Sequence, residues 1–370
     1  MIKVAHLTFD MRIGGTEQVI MNIVNGERDN DINHRILCIE MPLGPFGQRL
    51  LQQGITIDSW HRSDGFDRQL IANIRQYLHA HKIDILHCHQ YTPWSYGTLA
   101  AIGLKTKVIF TEHGRFYPDS SSWKRKIINP ILAYFTEHIT AISNATRNAL
   151  TEYEFIRAEQ IKLVYNGIAP LSFSTEDEAQ IAAHKQTYQL PEDALVLGTI
   201  ARMDPIKNHE LMIKVCAEIN RTGVDCRLVI VGDGEQRPHI EQTIKDEGML
   251  DKVILTGYKS KPKCFFGLFD IFLLTSFSEG TSMTLLEAMS LGIPSVVTNV
   301  GGNPEVIQDQ RSGIVVPSDD VAACTAAVLS IYASPQIQQS FADNARADFT
   351  QHFHVDVMNQ SFNQIYKSCQ

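Results

Sequence analysis

The chain has no apolar run approaching the ~18 residues that would cross a bilayer. It has no block of like charge either. Its 33 Lys and Arg residues are scattered among 41 Asp and Glu, for a net charge of −8. That argues against nucleic acid as the main partner, because a phosphate backbone selects a clustered basic surface. Cysteine is sparse: seven residues, odd in number and widely spaced, with no C-x-x-C pair. This excludes a disulfide framework and fits reduced, mostly buried thiols in a cytosolic enzyme. No short-period repeat or low-complexity tract is present. The first residues, Ile2-Lys3-Val4-Ala5-His6-Leu7, read as a strand rather than a signal peptide.

What is present is alternation. Apolar strand-like runs fall at 2–9, 34–40, 84–88, 107–111, 139–142, 161–165, 194–200, 226–231, 252–255, 270–274, 294–298 and 313–316, with helical stretches between most of them. In the helix expected at 207–221, Leu211, Val215 and Ile219 share one stripe, with Met212 and Cys216 beside it. Strand and helix in alternation imply parallel sheets with right-handed crossovers. So many strands exceed one ordinary sheet, and 370 residues suit two domains. The expectation is two Rossmann-like halves, joined by a strand-free linker and helix at 169–189.

The most informative stretch is Phe277 to Val300. A buried strand at Ile271–Leu274 leads to the turn Ser278-Glu279-Gly280. Thr281 and Ser282 offer hydroxyls for a helix start, Gly292 stops the helix, and Pro294 precedes the next strand. Within the helix, the neighbours of Glu287 at three and four residues are Met283, Thr284, Ser290 and Leu291, none of them a cation. Either Glu287 lies on a solvated stripe or, if buried, it takes partners from outside, such as the hydroxyls of a ligand. Glu279 follows the carboxyl end of a strand, where open α/β sheets bind ligands. The N–H groups of Thr281, Ser282, Met283 and Thr284 would form an anion cradle between the two carboxylates. That order of groups matches sugar, diphosphate and ribose.

Other strand ends carry weaker signals. Gly14-Gly15-Thr16-Glu17 follows the first strand, and two glycines allow close backbone approach to a ligand. His87 and His89 alternate onto one strand face. They read as shaping a cleft or, less readily, as ligands of a metal whose third partner is not evident. His113 ends the following strand, as a site residue or as a structural histidine. Arg202 and Lys207 leave the strand 194–200 together and could receive a diphosphate, or be ordinary surface cations. Val231-Gly232-Asp233-Gly234 is not a dinucleotide fingerprint, because Arg237 replaces the third glycine. Asp29-Asn30-Asp31 reads as a solvated turn. Residues 115–136 set Arg115, Lys124, Arg125 and Lys126 among aromatic and aliphatic side chains. They suit an interfacial helix on anionic lipid. A core helix with a basic end is the preferred reading.

Taken together, these residues resemble the retaining glycosyltransferases of family 4. The pieces are Gly14-Gly15-x-Glu17, His87-x-His89, His113, Val164-Tyr165-Asn166-Gly167, Arg202 with Lys207-Asn208, Gly232-Asp233-Gly234, Glu279-x7-Glu287 and Gly301-Gly302 with Pro304-Glu305. The resemblance implies an α/β GT-B fold: two facing Rossmann-like domains with parallel sheets and an interdomain cleft. The domains would be 1–168 on the acceptor side and 190–352 for the nucleotide sugar, with 353–370 a helix crossing back to the first. It implies His113, Arg202, Lys207 and Glu279 as catalytic, and Gly14, Gly15, Asn166, Tyr258, Thr281, Ser282, Met283, Thr284 and Glu287 as donor-binding. Glu287 would hold the ribose hydroxyls and Glu279 those of the transferred sugar. Arg202 and Lys207 would meet the diphosphate, the backbone at Tyr258 the base, and His113 the reacting sugar. Many relatives carry an aromatic residue and a Gly or Pro where this chain has Thr281-Ser282, so the donor sugar stays open.

The implied partners are a nucleotide-sugar donor, a UDP-sugar by preference, and a glycan or lipid-linked acceptor. No metal and no cofactor is expected. The implied location is cytoplasmic, with peripheral contact to the inner membrane face if 115–136 meets lipid. An epimerase or phosphorylase of the same fold, or a non-catalytic nucleotide-sugar-binding subunit, are the alternatives.

Overall fold

The computed structural model describes residues 1–26, 31–114 and 120–370. The first sheet contains β1 (Ile2–Thr8), β2 (Ile32–Cys38), β3 (Thr56–Ser59), β4 (Ile85–His89), β5 (Lys107–Glu112), β6 (His138–Ala141) and β7 (Ile161–Leu163). All its pairs are parallel, in the order β3-β2-β1-β4-β5-β6-β7. The second contains β8 (Leu195–Ile200), β9 (Cys226–Val231), β10 (Val253–Leu255), β11 (Ile271–Leu274), β12 (Ser295–Thr298) and β13 (Ile314–Val316). It is also parallel, in the order β10-β9-β8-β11-β12-β13.

The sequence explains both sheets. Every residue of β8 and β11 is buried, as expected of parallel strands covered by helices on both faces. Gly198 lies within β8 where a Cβ would strike the ring of Phe269. The helix His209–Arg221 buries Leu211, Met212, Val215, Cys216 and Ile219, at about 1.5–3 kcal/mol for each large side chain. It begins two residues later than the spacing suggests, because Pro205–Lys207 forms a separate 3-10 turn and Asn208 caps the helix. β3 has no counterpart among the strands expected from the sequence.

Two compact units result: Met1–Ala169 with Phe353–Gln370, and Pro170–His352. The helix Thr175–Thr187 starts at a Ser174–Asp177 capping box and belongs to the second unit, where Asp177 pairs with Lys263 at 2.6 Å. The last helix, Val355–Ser368, belongs to the first. It buries Met358, Phe362, Ile365 and Tyr366. A short parallel bridge pins its start, with Ile168 N–H to the Phe353 carbonyl at 3.0 Å and Val355 N–H to the Ile168 carbonyl at 2.9 Å.

The helix Trp123–Tyr134 overturns the preferred reading of its stretch. Only Asn129, Leu132 and Ala133 are buried, while Trp123, Ile127, Ile128, Ile131 and Tyr134 are exposed. It is not a core helix. Arg115 and its neighbours to 119 lie outside the described residues, as do Asp29 and Asn30 of the acidic triplet. All seven cysteines are free thiols and, Cys369 apart, buried.

Candidate active site

In the second unit the chain leaves β8 to one side of the sheet and returns as β11 on the other. Ligands of open α/β sheets bind above the carboxyl ends of the strands at such a reversal. The loops after β8 and β11 are sewn together there. Phe277 N–H donates to the Ile206 carbonyl at 2.8 Å. The Thr275 hydroxyl is 2.9 Å from the Asn208 carbonyl and 3.2 Å from that of Lys207. This stitching brings Lys207 Nζ to 2.6 Å from Glu279 Oε1, which also accepts from Ser276 Oγ at 2.6 Å. Glu279 is nearly buried. Its backbone is clamped from below: Gly302 N–H donates to the Glu279 carbonyl at 3.1 Å. Gly301, at φ +51, stands where a Cβ would strike that carbonyl.

The helix Met283–Leu291 follows. Ser282 Oγ caps it by accepting from Leu285 N–H at 3.4 Å, and Gly292 ends it in the left-handed conformation at φ +71. Leu285, Leu286, Ala288 and Met289 are buried. Glu287 stands half-buried among them, and burial pushes its carboxyl up to about 7. Among the described residues its carboxylate makes no hydrogen bond or ion pair. Such a group is held in a conformation it cannot itself satisfy.

Arg202 is largely exposed and pairs with Asp204. Its loop is fixed by Met203 N–H to the Asp233 carbonyl at 2.9 Å and by Ala201 N–H to the Val231 carbonyl at 3.1 Å. Glycine is required opposite it. A Cβ on Gly234 would lie 2.6 Å from the Met203 carbonyl oxygen, and one on Gly232 would strike that of Ala201. Gly232 also bridges to Gly257, which sets exposed Tyr258 beside this loop. A cavity of about 380 Å³ beside it is lined by Asp204, Asn208, His209, Gln236, Phe277 and Asp319, among others, and contains none of the expected donor-binding residues.

In the first unit the corresponding reversal lies between β1 and β4. Gly14 precedes the helix Gly15–Gly26 and its carbonyl takes the first helical bond, from Gln18 N–H at 3.0 Å. The Glu17 carboxyl folds back onto Gly14, and burial raises its pKa. Asn166 is buried next to Gly167, whose carbonyl accepts from Asn22 Nδ2 at 2.9 Å. His113 lies just past β5, half-buried. Its Nε2 is 2.9 Å from His89 Nδ1, and its own Nδ1 is buried with no hydrogen-bond partner among the described residues. Burial lowers its pKa to about 3. A cavity of about 150 Å³ beyond β1, β4 and β5 is lined by Gln90, Tyr91, Glu112, Arg125 and Glu154, among others. Gln90 has the left-handed φ of +72, uncommon for a residue other than glycine and concentrated near functional sites. Nothing in its sequence context signals it.

The expected residues therefore form two sets. Gly14, Gly15, His113 and Asn166 lie in the first unit; Arg202, Lys207, Tyr258, Glu279, Thr281, Ser282, Met283, Thr284 and Glu287 lie in the second. Lys207 and Glu279 are in direct contact, and Met283, Thr284 and Glu287 share one short helix capped by Ser282.

Known families match both units. The model described as Glycosyltransferase Family 4 covers residues 13–170, and that described as Glycosyl transferases group 1 covers 180–348. The chain belongs to the family 4 glycosyltransferases. Among its relatives is N-acetyl-alpha-D-glucosaminyl L-malate synthase of Bacillus anthracis, 25% identical over 81% of this chain and 79% of the relative. Another is the UDP-Gal:alpha-D-GlcNAc-diphosphoundecaprenol alpha-1,3-galactosyltransferase of Escherichia coli, 22% identical over 86% and 85%. The GT-B fold is shared with Anabaena Alr3699/HepE, solved with UDP, at TM-score 0.88 and 21% identity over 99% of this chain and 100% of that one.

For a glycosyltransferase the second unit has a simple chemical content. It offers a cation whose charge a carboxylate already orients, a second carboxylate without partners among the described residues, and a capped helix start between them. No helix among the described residues is long and apolar enough to cross a membrane.

Proposed function

We propose that this glycosyltransferase moves a sugar from a nucleoside diphosphate sugar, a UDP-sugar by preference, to a glycan or lipid-linked acceptor in bacterial polysaccharide or glycolipid synthesis, with retained configuration and no metal. Glu287 carries the reading. A half-buried carboxylate with no partner among the described residues, raised to about 7 by burial, is suited to vicinal hydroxyls, which donate two hydrogen bonds to an acceptor-only group. Ribose has such a pair. The UDP in the Anabaena complex and the UDP-Gal in the Escherichia coli relative's name support uridine.

As the glycosidic bond breaks, negative charge grows on the diphosphate and the sugar becomes oxocarbenium-like. Lys207 and Arg202 receive that charge, with the N–H groups opening the helix at Met283; fixed charges of this kind need no reorganisation. Lys207 exchanges part of its pairing with Glu279 for phosphate, while Glu279 turns its remaining acceptor capacity to sugar hydroxyls. His113 orients the reacting sugar. Attack comes from the face the diphosphate leaves, and a diphosphate oxygen takes the acceptor's proton.

The test is turnover of a UDP-sugar panel, with product configuration read by NMR and chelator present throughout. Lys207→Ala and Arg202→Ala should each lower turnover about a hundredfold. Near-normal rates in both reject a part for these two cations in the transfer, and loss of activity with chelator rejects metal independence. Sugar inversion with donor alone would indicate an epimerase, a need for inorganic phosphate a phosphorylase, and binding without acceptor-stimulated turnover a non-catalytic subunit.

The exposed apolar face at Trp123, Ile127, Ile128, Ile131 and Tyr134, with Lys124 and Lys126 also exposed, supports peripheral contact with anionic lipid on the inner membrane face of a cytoplasmic enzyme. Flotation with anionic vesicles that weakens in salt and is lost in Trp123→Ser/Ile127→Ser supports it; no flotation at low salt rejects it.

A further inference from the structure

Four histidines cross the first sheet in a line. His34 is on β2, His6 on β1, His89 at the end of β4, and His113 just past β5; these strands are neighbours in that order. His34 Nδ1 is 2.9 Å from His6 Nε2. His6 Nδ1 is 3.0 Å from His89 Nε2, and His89 Nδ1 is 2.9 Å from His113 Nε2. Every link joins an Nε2 to an Nδ1, and the run has the same sense throughout. The outer nitrogens, His34 Nε2 and His113 Nδ1, are both buried and, among the described residues, without a hydrogen-bond partner.

A neutral imidazole has one N–H and one bare nitrogen. If His113 carries its proton on Nε2, His89 must be bare at Nδ1 and protonated at Nε2. The same condition passes to His6 and then to His34. If His113 carries it on Nδ1, all four carry it on Nδ1. The chain thus has two self-consistent states, and mixed states leave a link with two protons or none. We propose that His34, His6 and His89 form a hydrogen-bonded imidazole relay that ties the tautomer of His113 to their own, so that they are positioning residues through which the proton at its Nδ1 is coupled to the far end of the line. The outer nitrogens are always opposite in character: when His113 Nδ1 accepts, His34 Nε2 donates.

The surroundings keep the relay neutral. Burial, and then the neighbouring histidines, hold His6 and His89 well below the ordinary imidazole value, and burial holds His34 near 4. His87, on the same face, stands outside the relay because both its nitrogens are taken. His87 Nε2 is 2.7 Å from the Thr111 hydroxyl, which is 2.6 Å from that of Thr140, and His87 Nδ1 is 2.8 Å from the Tyr366 hydroxyl. His6, His87 and His89 offer nitrogens within 4.8 Å of one another, a spacing a metal ion could also use. A cation there would break at least one link of the relay and at least one bond of His87.

The consequence for transfer rests on the reading that a sugar lies at His113; the relay itself does not. The experiment is long-range nitrogen–proton NMR on protein with ring-labelled histidine, assigned by single substitutions. The expected result is one tautomer shared by His34, His6, His89 and His113, and in His6→Phe a His34 tautomer no longer tied to those of His89 and His113, which stay alike through their own bond. Unlike tautomers in the wild type overturn the proposal, even where His6→Phe does not fold, and so does a stoichiometric transition metal in the purified protein. Saturating UDP-glucose should move all four ring signals together; a change at His113 alone overturns the coupling. A thermal shift with no change at any of the four counts against the sugar's placement at His113 and leaves the wild-type tautomers to decide the relay. Turnover in His6→Phe should fall about tenfold with the donor KM within about twofold.

Discussion

Protonation of Glu287 gives the sharpest prediction. Burial moves its carboxyl from 4.5 to about 7, which corresponds to about 3 kcal/mol against the ionised form at 1.36 kcal/mol per pH unit. Ribose hydroxyls donate, so the bound state requires the carboxylate. UDP-glucose affinity should therefore be flat above pH 7 and fall about tenfold for each pH unit below it, by proton linkage. UDP-glucose is the proper probe because its phosphates are diesters and carry no proton in this range. Stability moves with the opposite sense. The folded value lies above the unfolded one, so this carboxyl's contribution is full below pH 4.5 and is lost as pH rises through about 7. Glu287→Gln, neutral at all pH, should raise stability at pH 8 by up to about 3 kcal/mol and leave it nearly unchanged at pH 4. It should weaken UDP-glucose binding at pH 8 by ten- to a hundredfold, about the size of lost charged hydrogen bonds. Calorimetric titration at pH 5.5 to 8.5 with denaturant curves reads both. An affinity independent of pH in the wild type, or the same slope surviving in Glu287→Gln, would refute the reasoning.

Two further perturbations probe the framework. Gly301→Ala places a Cβ against the Glu279 carbonyl at a left-handed φ; it should cost about 1–3 kcal/mol and lower turnover more than it lowers donor affinity. Unchanged denaturation and kinetics would show that Glu279 is not held from beneath. Tyr366→Phe leaves His87 Nδ1 buried without its hydrogen-bond partner; denaturant unfolding should show a loss of about 1–3 kcal/mol, and an unaltered midpoint would mean that bond contributes nothing.

Strand–helix alternation made two parallel sheets legible, because buried parallel strands are apolar along their whole length. β3 escaped because Thr56-Ile57-Asp58-Ser59 is short, polar and only partly covered; it is a strand through its pairing with β2 rather than through any pattern of its own. The turn–helix unit at Glu279 to Gly292 could be read locally, since caps and stops act within a few residues. Its ion pair with Lys207 could not, for the partners are 72 residues apart and meet only through strand order. The histidines divide in the same way. His87 and His89 share a face by strand period, whereas His6 and His34 join them only once β2, β1 and β4 are neighbours. For the helix Trp123–Tyr134, periodicity told which side chains share a face but not whether anything covers that face.

The grouping of Phe353–Gln370 with Met1–Ala169 makes the second unit an insertion within the first. Pro170–His352 is one uninterrupted segment. The first body cannot be cut out as one piece of chain; it must be rebuilt by linking Ala169 to Phe353, whose neighbours Ile168 and His354 already lie side by side. A truncation that stops short of the last helix would strip its packing from the unit built by residues 1–169, far away in the chain.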